Sequence, residues 1–159
     1  QSIAGKTASL LSTACRIGGL TAGLERHTVD QLTTFGHTYG MAFQIVDDIL
    51  DVIATEDQLG KPAGNDLIEG VYTLPVLLAL ESDVGEQLQE LLGKELSTEG
   101  RDRALDLIRS TDAVEEAFAR AQFWAQKAKL ELESLPSSPA TNALFAATNH
   151  LLNRAQSAN

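Results

Sequence analysis

Only one cysteine, Cys15, occurs in the 159 residues, so no disulfide closes within the chain, and a reducing, cytoplasmic setting is the expected one. A lone thiol of this kind is ordinarily a small apolar packing residue. No proline precedes Pro62, which leaves the first third of the chain without the strongest helix breaker. No apolar run approaches the roughly 20 residues that cross a bilayer, which excludes an integral membrane placement. Cations are scarce as well: 12 lysines and arginines face 22 aspartates and glutamates, a formal net charge of −10. Such a surface repels nucleic acid and anionic lipid. Nucleic acid is excluded as a partner on that ground, and peripheral membrane contact stays open. No serine, histidine and acid are arranged as a hydrolytic triad, and neither a G-x-S-x-G elbow nor a Walker loop occurs. His27, His37 and His150 are accordingly read as packing or surface residues.

What is present is an ordinary globular composition, 43% hydrophobic and 21% charged, enough to fold one domain with a core of its own. The chain opens on Gln1 with its first motif almost at the start, and is expected to be part of something longer.

Apolar residues at helical spacing and the lack of sustained alternation predict an all-α chain. A first helix is expected from about Ile3 to Leu24. Thr28, with Gln31 three residues on, has the form of a capping box opening a second helix to about Thr55. Gly60-Lys61-Pro62-Ala63-Gly64-Asn65-Asp66 gathers breakers and turn formers and predicts a loop. Shorter helices follow from Leu74 to Glu81, started near Pro75, and from Gly85 to Leu92, ended by Gly93. Ser97-Thr98-Glu99 opens a helix to about Arg109, and Asp112 with Glu115 opens one to about Leu135. Ser138-Pro139 caps the last, which ends near Ala155.

The pattern with chemistry in it is Phe43-Gln44-Ile45-Val46-Asp47-Asp48-Ile49-Leu50-Asp51, three carboxylates in an otherwise apolar helix, where buried charge demands a partner. At about 100° per residue, Gln44, Asp47, Asp48 and Asp51 share one stripe and are expected to converge on one space. Neighbouring carboxylates on a helix repel by roughly 0.2–0.5 kcal/mol per pair, and a hard divalent cation reverses that sign. Oxygen donors without histidine or cysteine suit magnesium or calcium and not zinc. The plainer reading, a solvated acidic face, fits poorly with the apolar flanks. Gly36 and Gly40 lie on the same stripe, either leaving room above the carboxylates or letting another helix pack closely. A glycine-flanked Lys61 offers a compact positive charge to a phosphate oxygen, and Lys6-Thr7 pairs an ammonium with a hydroxyl.

In order and spacing, Gly5-Lys6-Thr7-Ala8, Phe43-Gln44 with the Asp47 to Asp51 cluster, Gly60 to Leu67, and Thr73-Leu74-Pro75 resemble the polyprenyl synthetase family, all-trans polyprenyl diphosphate synthases. The resemblance implies a partial isoprenoid-synthase helical bundle lacking its N-terminal helices, with residues 1–159 as the C-terminal portion of a single domain. Asp47, Asp48 and Asp51 match the second of the family's two aspartate-rich motifs, which implies that they are ligands of Mg2+. Lys6, Thr7, Gln44 and Lys61 match its catalytic, diphosphate-binding positions, and Asp66 its supporting loop. Val71 stands where many members have a further lysine, and the family's first aspartate-rich motif would precede Gly5. The implied reaction ionises an allylic diphosphate, whose carbocation is attacked by the double bond of isopentenyl diphosphate to give a linear product. A homodimer, isoprenoid diphosphate substrates and membrane contact through a lipid product are implied with it, and the chain alone is expected to be inactive. A terpene cyclase, and a noncatalytic subunit or structural helical module derived from the family, are the alternatives; Lys6-Thr7 and Gly60-Lys61 favour chain elongation over cyclisation.

Overall fold

Glycines, hydroxyls and prolines set most of the helix ends in this chain. The computed structural model describes residues 7–55, 63–93 and 95–158, and every regular element among them is helical. In order these are α1 (Ser9–Thr21), α2 (Arg26–Ile53), α3 (Asn65–Ile68), α4 (Leu74–Leu80), α5 (Gly85–Leu92), α6 (Thr98–Arg109), α7 (Ala113–Glu133) and α8 (Pro139–Ser157). None is long and apolar enough to cross a membrane.

α1 stops at Thr21, three residues before the expected Leu24, because Gly23 turns left-handed at φ 67°. The Leu24 amide then reaches back to the Gly19 carbonyl and the Gly23 amide to that of Leu20, both at 3.1 Å, the paired bonds of a Schellman ending. α2 begins at Arg26 and not at Thr28. The expected capping box is not what opens it: Thr28 lies inside the helix, and the side chain of Gln31 is turned to a tertiary contact, its Nε2 donating to the Ser134 hydroxyl. Where only a loop is expected, Asn65–Ile68 forms the short α3, entered through Gly64 at φ 72°. α4 carries Pro75 in its first turn, where a missing amide hydrogen costs nothing. Ser97 caps α6 by accepting the Gly100 amide at 3.1 Å, and Ser138 does the same for the Thr141 amide of α8 at 3.1 Å. α7 follows Asp112, with the Thr111 hydroxyl taking the Ala113 amide at 3.2 Å.

The helices gather into two units, the described residues of 1–46 with 120–154, and those of 47–119 with 155–158. The first is built around buried Phe35, Ala128 and Leu132, with Cys15, Tyr39, Leu144 and Phe145 packed on them. Phe35 stacks on Tyr39 at 5.7 Å between ring centroids, and His37 meets Trp124 edge-on, the packing role expected of that histidine. The second unit centres on Ile49, Val76, Leu88 and Ile108, each essentially without exposure. Burying a side chain of this size stabilises the fold by about 1.5–3 kcal/mol.

Between Ile45 and Val52 only Asp47 is exposed, so this stretch of α2 is embedded on nearly every side, as a helix apolar around its circumference must be. Its last carbonyls would be orphans. They find partners instead: Leu50 accepts from the Ala54 amide at 2.9 Å, Asp51 from the Gly64 amide at 2.8 Å, and Val52 from Arg109. Arg109 donates Nε and Nη2 to that one oxygen at 2.9 and 2.6 Å, placing a cation at the negative end of the helix dipole.

Candidate functional site

Gly36 and Gly40 decide how close α1 comes to α2. A Cβ on Gly36 would lie 2.6 Å from the Leu11 carbonyl oxygen and 2.8 Å from Ser12 Cα, and one on Gly40 would lie 2.6 Å from Ala8 Cα. Of the two sequence readings of these glycines, close helix packing is the one found, and their space is filled by backbone. The Ser12 hydroxyl donates to the Thr33 carbonyl at 2.9 Å along the same seam. With the chain drawn in at Ala8, the Thr7 hydroxyl donates to Gln44 Oε1 at 2.6 Å. Two diphosphate-site candidates 37 positions apart are thereby joined, a pairing that neither motif shows by itself.

α2 continues unbroken from Gln44 through Asp47, Asp48 and Asp51. The three carboxylates part company there. Asp47 is exposed, whereas Asp48 and Asp51 are 3% and 5% exposed, and among the described residues no three His, Cys, Asp or Glu side chains are gathered closely enough to hold an ion. The convergence expected of Asp47, Asp48 and Asp51 is therefore not found. Helical spacing fixes where each Cα lies, but each rotamer answers to its own neighbours. Asp51 Oδ2 accepts the Asp66 amide at 3.2 Å, so the supporting loop expected around Asp66 is tied to the cluster through its backbone. The donor chemistry still fits a hard cation. Magnesium is usually held by one or two carboxylates with phosphate oxygens and water completing its octahedron, which asks far less preassembly than an all-protein calcium cage. Asp47, open to solvent, could supply such an oxygen, with Asp48 beside it.

Lys6 and Lys61, the cationic candidates, lie outside the described residues. Val71, where the resemblance would place another lysine, is half exposed. His27 and His150 are surface residues. Burial pushes the Cys15 thiol above its ordinary range, which suits its packing role. A cleft of about 510 Å³ in the second unit is lined by Ile53, Ala54, Thr55, Ala63 and the Arg101 to Arg109 side of α6, with none of Asp47, Asp48 and Asp51 in its lining. Sequence reasoning missed Arg109, whose bond to Val52 spans 57 positions. The only local hint is a cation closing α6 just before Ser110-Thr111.

The sequence profile described as Polyprenyl synthetase matches residues 1–108. The chain is 37% identical over 146 residues to heptaprenyl diphosphate synthase component 2 of Bacillus subtilis (strain 168), covering 92% of this chain and 42% of that protein. It is 36% identical over 152 residues to nonaprenyl diphosphate synthase of Mycobacterium tuberculosis, covering 94% of this chain and 45% of that one. Among solved structures, geranylgeranyl pyrophosphate synthase from Corynebacterium glutamicum, complexed with calcium and isoprenyl diphosphate, superposes with a TM-score of 0.87 at 36% identity, over 96% of this chain and 48% of that chain. The chain thus spans less than half the length of these relatives. A profile matching two thirds of the residues, together with a shared helical architecture, places the chain in one family: it belongs to the polyprenyl synthetases.

Proposed function

We propose that the chain supplies one wall of the diphosphate site of a trans-prenyltransferase, which condenses isopentenyl diphosphate with an allylic diphosphate to give a linear polyprenyl diphosphate. The observation that carries this reading is the Thr7 to Gln44 hydrogen bond at 2.6 Å, which joins the Lys6-Thr7 motif to the helix of the aspartates. Ionisation of an allylic diphosphate leaves a polyanion to be stabilised, and preorganised donors and cations do this best where water is excluded. In this reading the Thr7 and Gln44 pair orients phosphate oxygens, Lys6 and Lys61 neutralise them, and Asp47 with Asp48 holds Mg2+, which supplies charge neutralisation at the leaving group. No nucleophilic side chain is called for. The substrates are isoprenoid diphosphates, and the family resemblance favours a homodimer. A second reading of the assembly rests on the relatives named component 2: the working protein pairs with a different subunit.

The test adds Mg2+ and inorganic pyrophosphate to the chain and follows its melting temperature. Saturation at about 100 times the dissociation constant contributes about 2.7 kcal/mol of stability, and Asp47→Ala is expected to remove the gain. Mixing the chain with the other half of a relative and supplying both isoprenoid diphosphates is then expected to give elongated product, with none from either half alone. No thermal response and no product from the mixture would sink the proposal.

A further inference from the structure

We infer that Asp51, assigned with Asp47 and Asp48 to the cation by its place in the motif, is a positioning residue that fastens the turn at 63–66 to the end of α2. The inference rests on the diphosphate reading above and deepens it, because the residues preceding that turn in sequence include Lys61.

The observations are geometric. Asp51 receives two amides from one short stretch of chain, that of Gly64 on its carbonyl at 2.8 Å and that of Asp66 on Oδ2 at 3.2 Å. Its side chain lies buried, with Oδ1 fully enclosed, whereas Asp47 four residues earlier is open to water. Burial by itself does not set Asp51 apart, because Asp48 is 3% exposed. What sets it apart is that Oδ2 already accepts the Asp66 amide proton, which competes with a cation for that oxygen. The turn itself is shaped for this attachment. Gly64 adopts φ 72°, a conformation that side chains other than glycine rarely take. A Cβ there would also lie 3.0 Å from Leu105 Cδ1 and 3.1 Å from Arg101 Cγ. Beyond the turn, the Val71 amide returns to the Asp66 carbonyl at 2.8 Å and Asn65 Nδ2 donates to Glu69 Oε1 at 2.7 Å. α3 is thus closed at both ends, and Asp51 tethers its start to α2. Loss of the carboxylate would release the point where the chain returns to α2 three residues after Lys61.

An anchor and a ligand respond differently to amide substitution. Asp51→Asn keeps a carbonyl oxygen that accepts the Asp66 amide, yet loses the charge a cation needs; Asp51→Ala loses both. In the chain as it stands, two quantities are read: hydrogen exchange of the amides at 63–70, and the thermal response to Mg2+ with inorganic pyrophosphate. Asp51→Asn is expected to stay near wild type in both. Asp51→Ala is expected to exchange about tenfold faster at 63–70, the effect of losing one buried hydrogen bond, and to respond more weakly. Gly64→Ala, which strains the same turn and leaves the carboxylate intact, is expected to mimic Asp51→Ala and provides the test if the aspartate variants do not fold. If Asp51→Asn loses the pyrophosphate response as fully as Asp47→Ala while exchange at 63–70 stays unchanged, Asp51 is a ligand and the inference is overturned. If wild type shows no pyrophosphate response, the diphosphate reading fails by itself. Exchange at 63–70 then decides the anchor alone, and unchanged exchange in Asp51→Ala and Gly64→Ala overturns it.

Discussion

Two glycines in neighbouring helices carry opposite expectations for the same substitution. Gly40→Ala would drive a methyl into the backbone at Ala8, and overpacking of this kind costs about 1–3 kcal/mol. At Gly18, in exposed α1, an added methyl would meet nothing within 4 Å, so Gly18→Ala is expected to stabilise by about 0.5–1 kcal/mol through helix propensity alone. Urea unfolding of the two variants reads both signs. The same unfolding measurement followed into alkali reports on Cys15 and Tyr39. Burial raises the Cys15 thiol above its ordinary 9.0; burial raises the Tyr39 phenol above 10.0, with Arg154 opposing in part. In both, the folded state holds its proton more tightly than the unfolded chain. Their contribution is therefore complete below the unfolded values and is lost as pH rises through the folded ones. Stability is expected to be level near neutrality with respect to these groups and to fall beyond about pH 9, the ordinary thiol value. Cys15→Ala should flatten the earlier part of that fall.

Helix ends divide the elements into those legible from sequence and those that are not. Where the signal is local, it held: Ser97 and Ser138 cap as their positions suggest, Pro75 sits in a first turn, and Gly85–Leu92 spans the expected residues. Where a distant group competes, it did not. Thr28 and Gln31 have the spacing of a cap, yet Gln31 bonds Ser134, 103 positions away. The stripe on α2 was readable from period alone, and the exposure of Asp47 beside buried Asp48 and Asp51 was not. Burial depends on what the rest of the fold lays over each residue. Thr7 and Gln44 could be named separately, and only the glycine-mediated approach of two helices joins them. The least legible feature, the Arg109 bond to the end of α2, is also open to test. Arg109→Ala is expected to cost stability toward the lower end of about 1.5–3 kcal/mol, since the hydrogen bond is charged and partly exposed. Faster amide exchange confined to the last turn of α2 would distinguish this from a general loss of packing.

At the scale of the molecule, Leu10, Ile17 and Leu20 of α1 and Leu24 just beyond its end are each between 43% and 71% exposed. Apolar exposure of this extent is usually covered in a working protein, in keeping with a chain that spans less than half of its relatives. Sedimentation of the chain is expected to show concentration-dependent self-association, and Ile17→Ser is expected to weaken it. A monomer at all concentrations would argue against these side chains as sticky ones. The way α2 finishes has a last consequence. Its closing carbonyls are satisfied by Gly64 and Arg109, groups that a peptide cut from residues 26–53 would lack. Such a peptide, carrying every aspartate of the motif, would unravel at the very turn that displays them. Any affinity for cations would then belong to the folded chain and not to the string of letters, so that ion uptake could serve as a gauge of whether the protein has assembled.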